Sequence, residues 1–253
     1  MPTQYQARGA RPHRTSWLSR YAAPLLLALT ALLAGCGKDG AQGGYFPLQP
    51  GYSWQYRVLR TTMDGARELR HALSVPEPAP NAPADLRVRA TLDGQRTLYR
   101  DTEDGIYRVG IERRRGRRLP EDEEQQLVLP RDLDAAREWR GKSTTQLIES
   151  SAAPWESLFR VQVPVEMHYH VAARDEEVDT PAGRFTRCLR VDGAGETRTD
   201  VGSGLGETSI NVSTREWYAP GVGLVRLERD ETTSAKALAQ GSLVMELDGW
   251  NAP

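Results

Sequence analysis

VQVPVEMHYHV, residues 161–171, is the stretch whose periodicity decides the fold. Val161, Val163, Val165, Met167, Tyr169 and Val171 take every second position, and Gln162, Pro164, Glu166, His168 and His170 stand between them. In an extended strand successive Cβ atoms point to opposite sides of the pleat, so this order puts all six apolar side chains on one face. A helix would repeat them at three and four residues, and that spacing is absent. The segment predicts a long strand with one buried and one solvated face.

The same period recurs on both sides of it. Trp54, Tyr56 and Val58 alternate with Gln55 and Arg57, and Leu86, Val88, Ala90 and Leu92 alternate with Arg87, Arg89 and Thr91. Three large apolar side chains on one face make a patch that must be buried, so the Trp54 strand is expected to start the sheet and pack into the core. Asp64-Gly65, Asp93-Gly94 and Asp104-Gly105 fall between such runs as tight hairpin turns, because both residue types tolerate positive φ. Ala219-Pro220-Gly221-Val222 suits a type II turn, with Pro setting φ and Gly taking the positive-φ place. No segment keeps a helical period over several turns, although Pro130 to Arg140 has room for one short helix. The long connections are Pro76 to Ala84, with four prolines, and the charged stretch Glu112 to Gln126. There is no internal repeat. The expected fold class is all-β: a curved antiparallel meander, either a half-barrel or a sandwich-like sheet, with at most one or two short helices.

Ahead of the strands the chain changes character. Ala22 to Gly35 is an apolar run of 14 residues, shorter than the roughly 20 that span a bilayer. Arg8, Arg11, Arg14 and Arg20 precede it without one acidic residue, the positive n-region and apolar h-region of an export signal. The run ends in Leu33-Ala34-Gly35-Cys36, which resembles the lipobox of bacterial lipoproteins. That resemblance implies cleavage before Cys36 and attachment of a diacylglyceryl group and acyl chains to it, so that the membrane is a partner through Cys36. Three acyl chains at roughly 0.8 kcal/mol per buried methylene hold far more firmly than one. Gly37 follows, and lipoproteins without aspartate there are usually sorted to the outer membrane, which implies its periplasmic face. The organisation expected is a signal peptide at 1–35, a lipidated glycine-rich tether at 36–44 and one β domain at 45–253.

Four of the 33 basic residues and none of the 34 acidic ones lie in the leader, so the remaining 218 residues carry a formal charge of −5. That mild acidity argues against nucleic acid as a partner. With Cys36 lipidated, Cys188 has no partner and the domain no internal disulfide, so its stability must come from burial and pairing. Arginine outnumbers lysine 30 to 3, a matter of genomic composition.

At three places the chain resembles a group of secreted and envelope proteins of unknown function called TapB-like: YFPLQPGYSWQY (Tyr45 to Tyr56), DTPAGRFTRCLRV (Asp179 to Val191) and WYAPGVGLVRLE (Trp217 to Glu228). The resemblance implies a curved antiparallel sheet in the envelope with no assigned activity, and supplies no catalytic residues; the sequence itself points to no metal site and no cofactor.

Four features have chemistry to weigh. Glu166-x-His168-x-His170 sets three ligand types on one strand face, about 6.5–7 Å apart, and two histidines so spaced can share zinc if another strand supplies a third ligand. Only His71 remains for that part, and the competing reading is a solvated polar face. Glu112-Arg113-Arg114-Arg115-Gly116-Arg117-Arg118 could hold anionic headgroups, yet Glu121-Asp122-Glu123-Glu124 follows at once, so a loop that neutralises itself is simpler. Cys188 shares a strand face with Thr186, Arg190 and Asp192, opposite Phe185, Leu189 and Val191; a thiol with no histidine beside it is an inert one. Gly202-Ser203-Gly204-Leu205-Gly206 imitates a phosphate loop but no helix follows. Two functions remain. The first is a non-enzymatic binding or assembly protein of the envelope, using one face of the curved sheet for an apolar ligand, a lipid or an envelope protein. The alternative is a metal-dependent hydrolase centred on His168 and His170.

Overall fold

Trp54, Tyr56 and Val58 turn inward together from the first strand, β1 (Ser53–Thr62), and the Asp64-Gly65 turn sends the chain back as β2 (Gly65–Ser74) with Gly65 at φ 94°. In a computed structural model, which describes residues 44–112, 125–152, 157–200, 206–235 and 238–253, everything that follows is strand, turn or loop. Three short strands come next, β3 (Leu86–Thr91), β4 (Arg96–Asp101) and β5 (Gly105–Glu112), then β6 (Gln126–Pro130) and β7 (Glu138–Thr144). A small pair, β8 (Glu149–Ala152) and β9 (Ser157–Arg160), precedes the long hairpin of β10 (Pro164–Thr180) and β11 (Gly183–Asp200). The chain ends in β12 (Glu207–Ala219), β13 (Gly223–Thr233), β14 (Leu238–Ala239) and β15 (Gly241–Asn251).

Twelve strands form one sheet in the order β6-β5-β4-β3-β2-β1-β15-β13-β12-β11-β10-β7, and every neighbouring pair is antiparallel. The two edges come back together. Leu127 and Leu129 of β6 share a core cluster with Trp139 of β7, and the Arg108 guanidinium of β5 reaches the Lys142 carbonyl of β7 at 3.4 Å. The meander therefore curls into a nearly closed barrel. Asp-Gly turns close β1–β2, β3–β4 and β4–β5 as their sequences require. At Ala219–Val222 the Val222 N–H donates to the Ala219 carbonyl at 3.1 Å with Gly221 at φ 71°, the type II geometry. Between β6 and β7 the Asp132 carboxylate accepts the N–H groups of Asp134 and Ala135, and one further bond runs from Ala136 N–H to the Asp132 carbonyl. That single capped turn occupies the room for a short helix in Pro130 to Arg140, and the next residues enter β7.

The face that opened the reading is shared between two clusters: Val165, Met167 and Tyr169 of β10, with Val161 and Val163 of the segment just ahead of it, pack with Ile148, Ile210, Val212 and Leu238, while Val171 joins Trp139, Leu189 and Tyr218. Gly193 on β11 makes this possible, since a Cβ there would lie 2.6 Å from the Tyr169 ring. Further along, Asp175 (φ 61°) and Arg187 (φ 57°) interrupt the ladder of the hairpin as bulges. A bulge bends its strand, and beyond this one Val178, Ala182 and Phe185 pack against the Trp54 core.

Both ends of the barrel are filled by its own chain. Tyr45 and Phe46 pack with residues of β6, β7, β11 and β12, and Arg89 of β3 lies over the Phe46 ring at 3.6 Å, 4.7 Å from the Trp54 ring, and donates to the Pro47 carbonyl at 2.9 Å. At the other end the connection from β7 to β8 enters the interior: Thr145, Leu147 and Ile148 are wholly buried. Glu231 holds it by accepting the N–H groups of Gln146 and Leu147 at 3.0 and 2.8 Å, and the Glu231 carboxylate is itself paired with Arg229 at 2.8 Å. Between these plugs the Glu216 carboxylate accepts a hydrogen bond from the Tyr218 hydroxyl. Burial pushes Glu216 above the ordinary carboxylate range, against the smaller pull of Tyr218 and Arg229.

Two outcomes test this core. Trp54 is 1% exposed and its indole N–H donates to the Val222 carbonyl at 2.7 Å; Trp54→Ala should lose about 3–5 kcal/mol of stability, the cost of truncating a buried Trp, and a denaturant midpoint equal to wild type would refute the assignment. Because the native pKa of Glu216 is raised, its protonated form favours folding; that contribution is complete below the ordinary glutamate pKa and is lost as pH rises through the native value. Glu216→Gln should therefore gain on wild type as pH rises from 4 to 7, and stability curves that stay parallel over that range would show that the carboxyl is not desolvated.

Candidate functional site

The candidate residues of the sequence fall in quite different settings. Cys36, with the whole leader and tether up to residue 43, lies outside the described residues, as do the arginine run at 113–118, the acidic block after it and residues 202–205 of the glycine loop. Glu166, His168 and His170 are exposed on the outer face of β10. Glu166 forms an ion pair with Arg140 of β7 at 3.1 Å, while His168 stands opposite Arg140 and Ala194, and His170 opposite Glu138 and Asp192. His71, the third ligand that zinc would need, sits on β2, six strands along the sheet, with its ring 6.4 Å from that of Tyr56. Among the described residues no three His, Cys, Asp or Glu side chains gather as a metal-holding group. His168→Ala and His170→Ala should each change stability by under about 1 kcal/mol, as exposed substitutions usually do; a melting shift several times larger, or stoichiometric zinc lost in both variants, would make this face a site.

Cys188 departs from the alternation expected of it. The bulge at Arg187 breaks the two-residue period, so Cys188 and Leu189 are both buried, Cys188 beside Trp54 and Trp217 and Leu189 beside Val191 and Tyr218. Burial, with the Glu176 carboxylate adding to it, pushes the thiol up to about 11. At neutral pH it is a packed thiol and no nucleophile. The carboxylate beside it serves other partners: Glu176 accepts the Trp217 indole N–H at 2.7 Å and pairs with Arg190 at 2.9 Å.

β3 shows its faces the other way round from a simple apolar-inside rule. Arg89 points into the barrel, whereas Leu86 and Val88, with Leu98 of β4, lie beneath Pro76, Pro78, Pro80 and Pro83, around an outer groove of about 580 Å³. Leu92, at the tip of the β3–β4 turn, is 90% exposed. The proline-rich connection covers one apolar face of the sheet, and the aromatic plug receives the arginine.

The region that presents itself outward is the β1–β2 hairpin. Among the described residues five large apolar side chains are exposed, and four belong here: Leu59, Met63 and Leu69 on the hairpin, and Leu92 on the neighbouring turn. β2 pairs with β1 along its whole length but with β3 only at Leu73–Thr91 and Ser74–Ala90, where β3 ends. Its outer edge from Gly65 to Ala72 has no strand beside it among the described residues. Two cavities open along that edge. One, of about 390 Å³, runs over the outer face past Ser53, Gln55, Ala72, Ser74, Ala90 and Leu92, with His71 at its margin; the other, of about 430 Å³, is lined by Arg60, Thr62, Arg67, Leu69, Glu149 and Arg160. Burial lowers the His71 pKa against the smaller opposing effect of Asp93, so the ring at the first cavity is neutral at pH 7. The hairpin lacked a signal in the sequence because its exposure follows from the shortness of β3, a property of the neighbour.

Residues 124–236, from the approach to β6 to the end of β13, match the DUF3108-like family. The match takes in two of the three stretches that resemble TapB-like proteins, Asp179 to Val191 and Trp217 to Glu228, and leaves Tyr45 to Tyr56 outside it. No curated protein matches the chain. Among solved structures the chain is similar to a candidate lipoprotein of Parabacteroides distasonis, with 15% identity, 83% of this chain and 99% of that one covered, and a TM-score of 0.39. It is also similar to a candidate exported protein with a YmcC-like fold from Bacteroides fragilis, again with 15% identity, 83% and 100% coverage, and a TM-score of 0.37.

Proposed function

We propose that this chain is a lipid-anchored protein of the bacterial envelope, held through Cys36 at the periplasmic face of the outer membrane, and that it works by binding another protein and not by catalysis. The exposure of Leu59, Met63 and Leu69 on one hairpin, with Leu92 on the turn beside its base, carries the reading: four of the five large apolar side chains exposed among the described residues lie on this one region, Leu59 on its outer face and Leu69 on its inner one. An apolar small molecule in the barrel is a poorer fit, because Phe46, Trp54 and Arg89 fill one end of the interior and Thr145 to Ile148 the other. The leader supports the anchor: four arginines, a short apolar run and Leu-Ala-Gly before the cysteine.

Cys36→Ser should abolish incorporation of labelled palmitate and move the protein from the membrane to the soluble or precursor fraction, with the fold intact because residue 36 lies ahead of the first strand. A photo-crosslinking side chain at Met63 should give a discrete adduct in intact cells, and one at Arg140, on the far polar face, should give none. Equal palmitate labelling of wild type and Cys36→Ser refutes the anchor; identical adducts at both positions refute the binding surface.

A further inference from the structure

We infer that the cavity between the inner face of the β1–β2 hairpin and the small sheet β14-β8-β9 is a phosphate site, which takes up a phosphate group either free or as the monoester of a sugar. The site goes beyond the protein-binding reading above and stands or falls without it. Two cross-strand pairs build it. Arg60 of β1 stands directly opposite Arg67 of β2 on the inner face of the hairpin, and Glu149 of β8 stands directly opposite Arg160 of β9. The pairs meet where the Arg60 guanidinium donates to Glu149 Oε1 at 2.6 Å, and all four side chains line the cavity of about 430 Å³. That volume lies in the range of small-molecule pockets and leaves room for a sugar ring beside a phosphate.

Two features of this arrangement point to a ligand of one chemistry. Like charges directly opposite on neighbouring strands repel, and three guanidinium groups meet only two carboxylates here. Glu149 holds Arg60, and Asp64 holds Arg67 at 3.2 Å beside the hairpin turn, while Arg160 is exposed and has no carboxylate partner among the described residues. The second feature has the opposite sign. Glu149 is 5% exposed, and its Oε2 is buried with no hydrogen-bond partner, although buried polar atoms ordinarily find one. The cavity thus sets a carboxylate acceptor among donors for an anion. An oxyanion that keeps a hydroxyl satisfies both: its oxygens accept from the planar arginine forks, and its O–H donates to Glu149 Oε2. Inorganic phosphate bears a P–OH at neutral pH, a sugar phosphate brings ring hydroxyls, and sulfate has neither. A carboxylate ligand fits less well, having two oxygens for three guanidinium groups.

The test titrates the full lipidated chain in detergent with glucose 1-phosphate, inorganic phosphate and sulfate, by isothermal calorimetry at low ionic strength, where screening is weak. Both phosphates should bind about tenfold or more tighter than sulfate, and the tighter of the two names the source, sugar ester or free ion. Arg160→Gln, an exposed change that leaves no carboxylate without its partner, should weaken both phosphates about tenfold, the worth of one hydrogen bond to a charged group. Glu149→Gln separates the inference from net charge alone. If Glu149 only repels anions, removing its charge tightens phosphate and sulfate alike; as acceptor of the ligand hydroxyl, its loss lets sulfate in while phosphate gains nothing, and the selectivity disappears. Near-ultraviolet circular dichroism checks the fold of both variants, and Arg160→Gln decides by itself where Glu149→Gln does not fold. No phosphate binding to wild type, sulfate bound as tightly as phosphate, or an affinity indifferent to Arg160→Gln overturns the inference.

Discussion

The Arg89 guanidinium is the constraint on which the aromatic end of the barrel depends. It is enclosed by Phe46, Trp54 and Tyr99, donates one hydrogen bond to the Pro47 carbonyl, and has its Nε buried without a partner. Burial of such a group is costly, and the cost is visible as a lowered pKa. What offsets it is the aromatic enclosure, since desolvated cation–π contacts reach about 2 kcal/mol or more. The enclosure exists only when three separate pieces of chain meet: the segment before β1, β1 itself, and the β3–β4 hairpin. Arg89 thus couples the entry of the chain to the closure of the sheet. Trp54 adds the fourth piece, because its indole N–H is bound to the Val222 carbonyl in the β12–β13 turn.

The opposite end is organised by a different charge. Glu231 is wholly buried, but both of its oxygens accept backbone N–H groups and Arg229 balances it, while Arg229 also reaches the Ser143 hydroxyl and the Thr144 carbonyl. A buried ion pair contributes little by itself. Its effect here is positional: it selects the one path by which the β7–β8 connection enters the barrel. One end is closed by stacking on a cation, the other by charged acceptors of backbone bonds.

How far the sequence reaches can be seen residue by residue. The β10 face, the Trp54 face and four turns were legible because a period of two or an Asp-Gly pair reports local geometry directly. The inward Arg89 was not, for its alternation with Val88 is correct and only the choice of face depends on what covers each side, namely the proline-rich connection outside and Phe46 inside. Cys188 misled because the irregular ladder around Asp175 and Arg187 turns it inward while Leu189 and Val191 keep the buried face that alternation gives them, and bulges at non-glycine residues have no sequence signature. The free edge of β2 was invisible for a third reason. Strand lengths are readable, but the register between β2 and β3, which decides where one strand outruns the other, is a long-range property.

That overhang also has a direction. Gly44 accepts a hydrogen bond from Gly221 N–H, and Tyr52 and Trp54 bind the same turn, so the chain enters the barrel at the end where β1 begins. β1 then runs ten residues, about 33 Å at strand rise, to the tip at Met63. The entry of the chain and the hairpin tip therefore stand at opposite ends of β1, and the part of β2 that outruns β3 is the part nearest the tip, so the overhang is built from the end of the sheet that the aromatic plug does not reach.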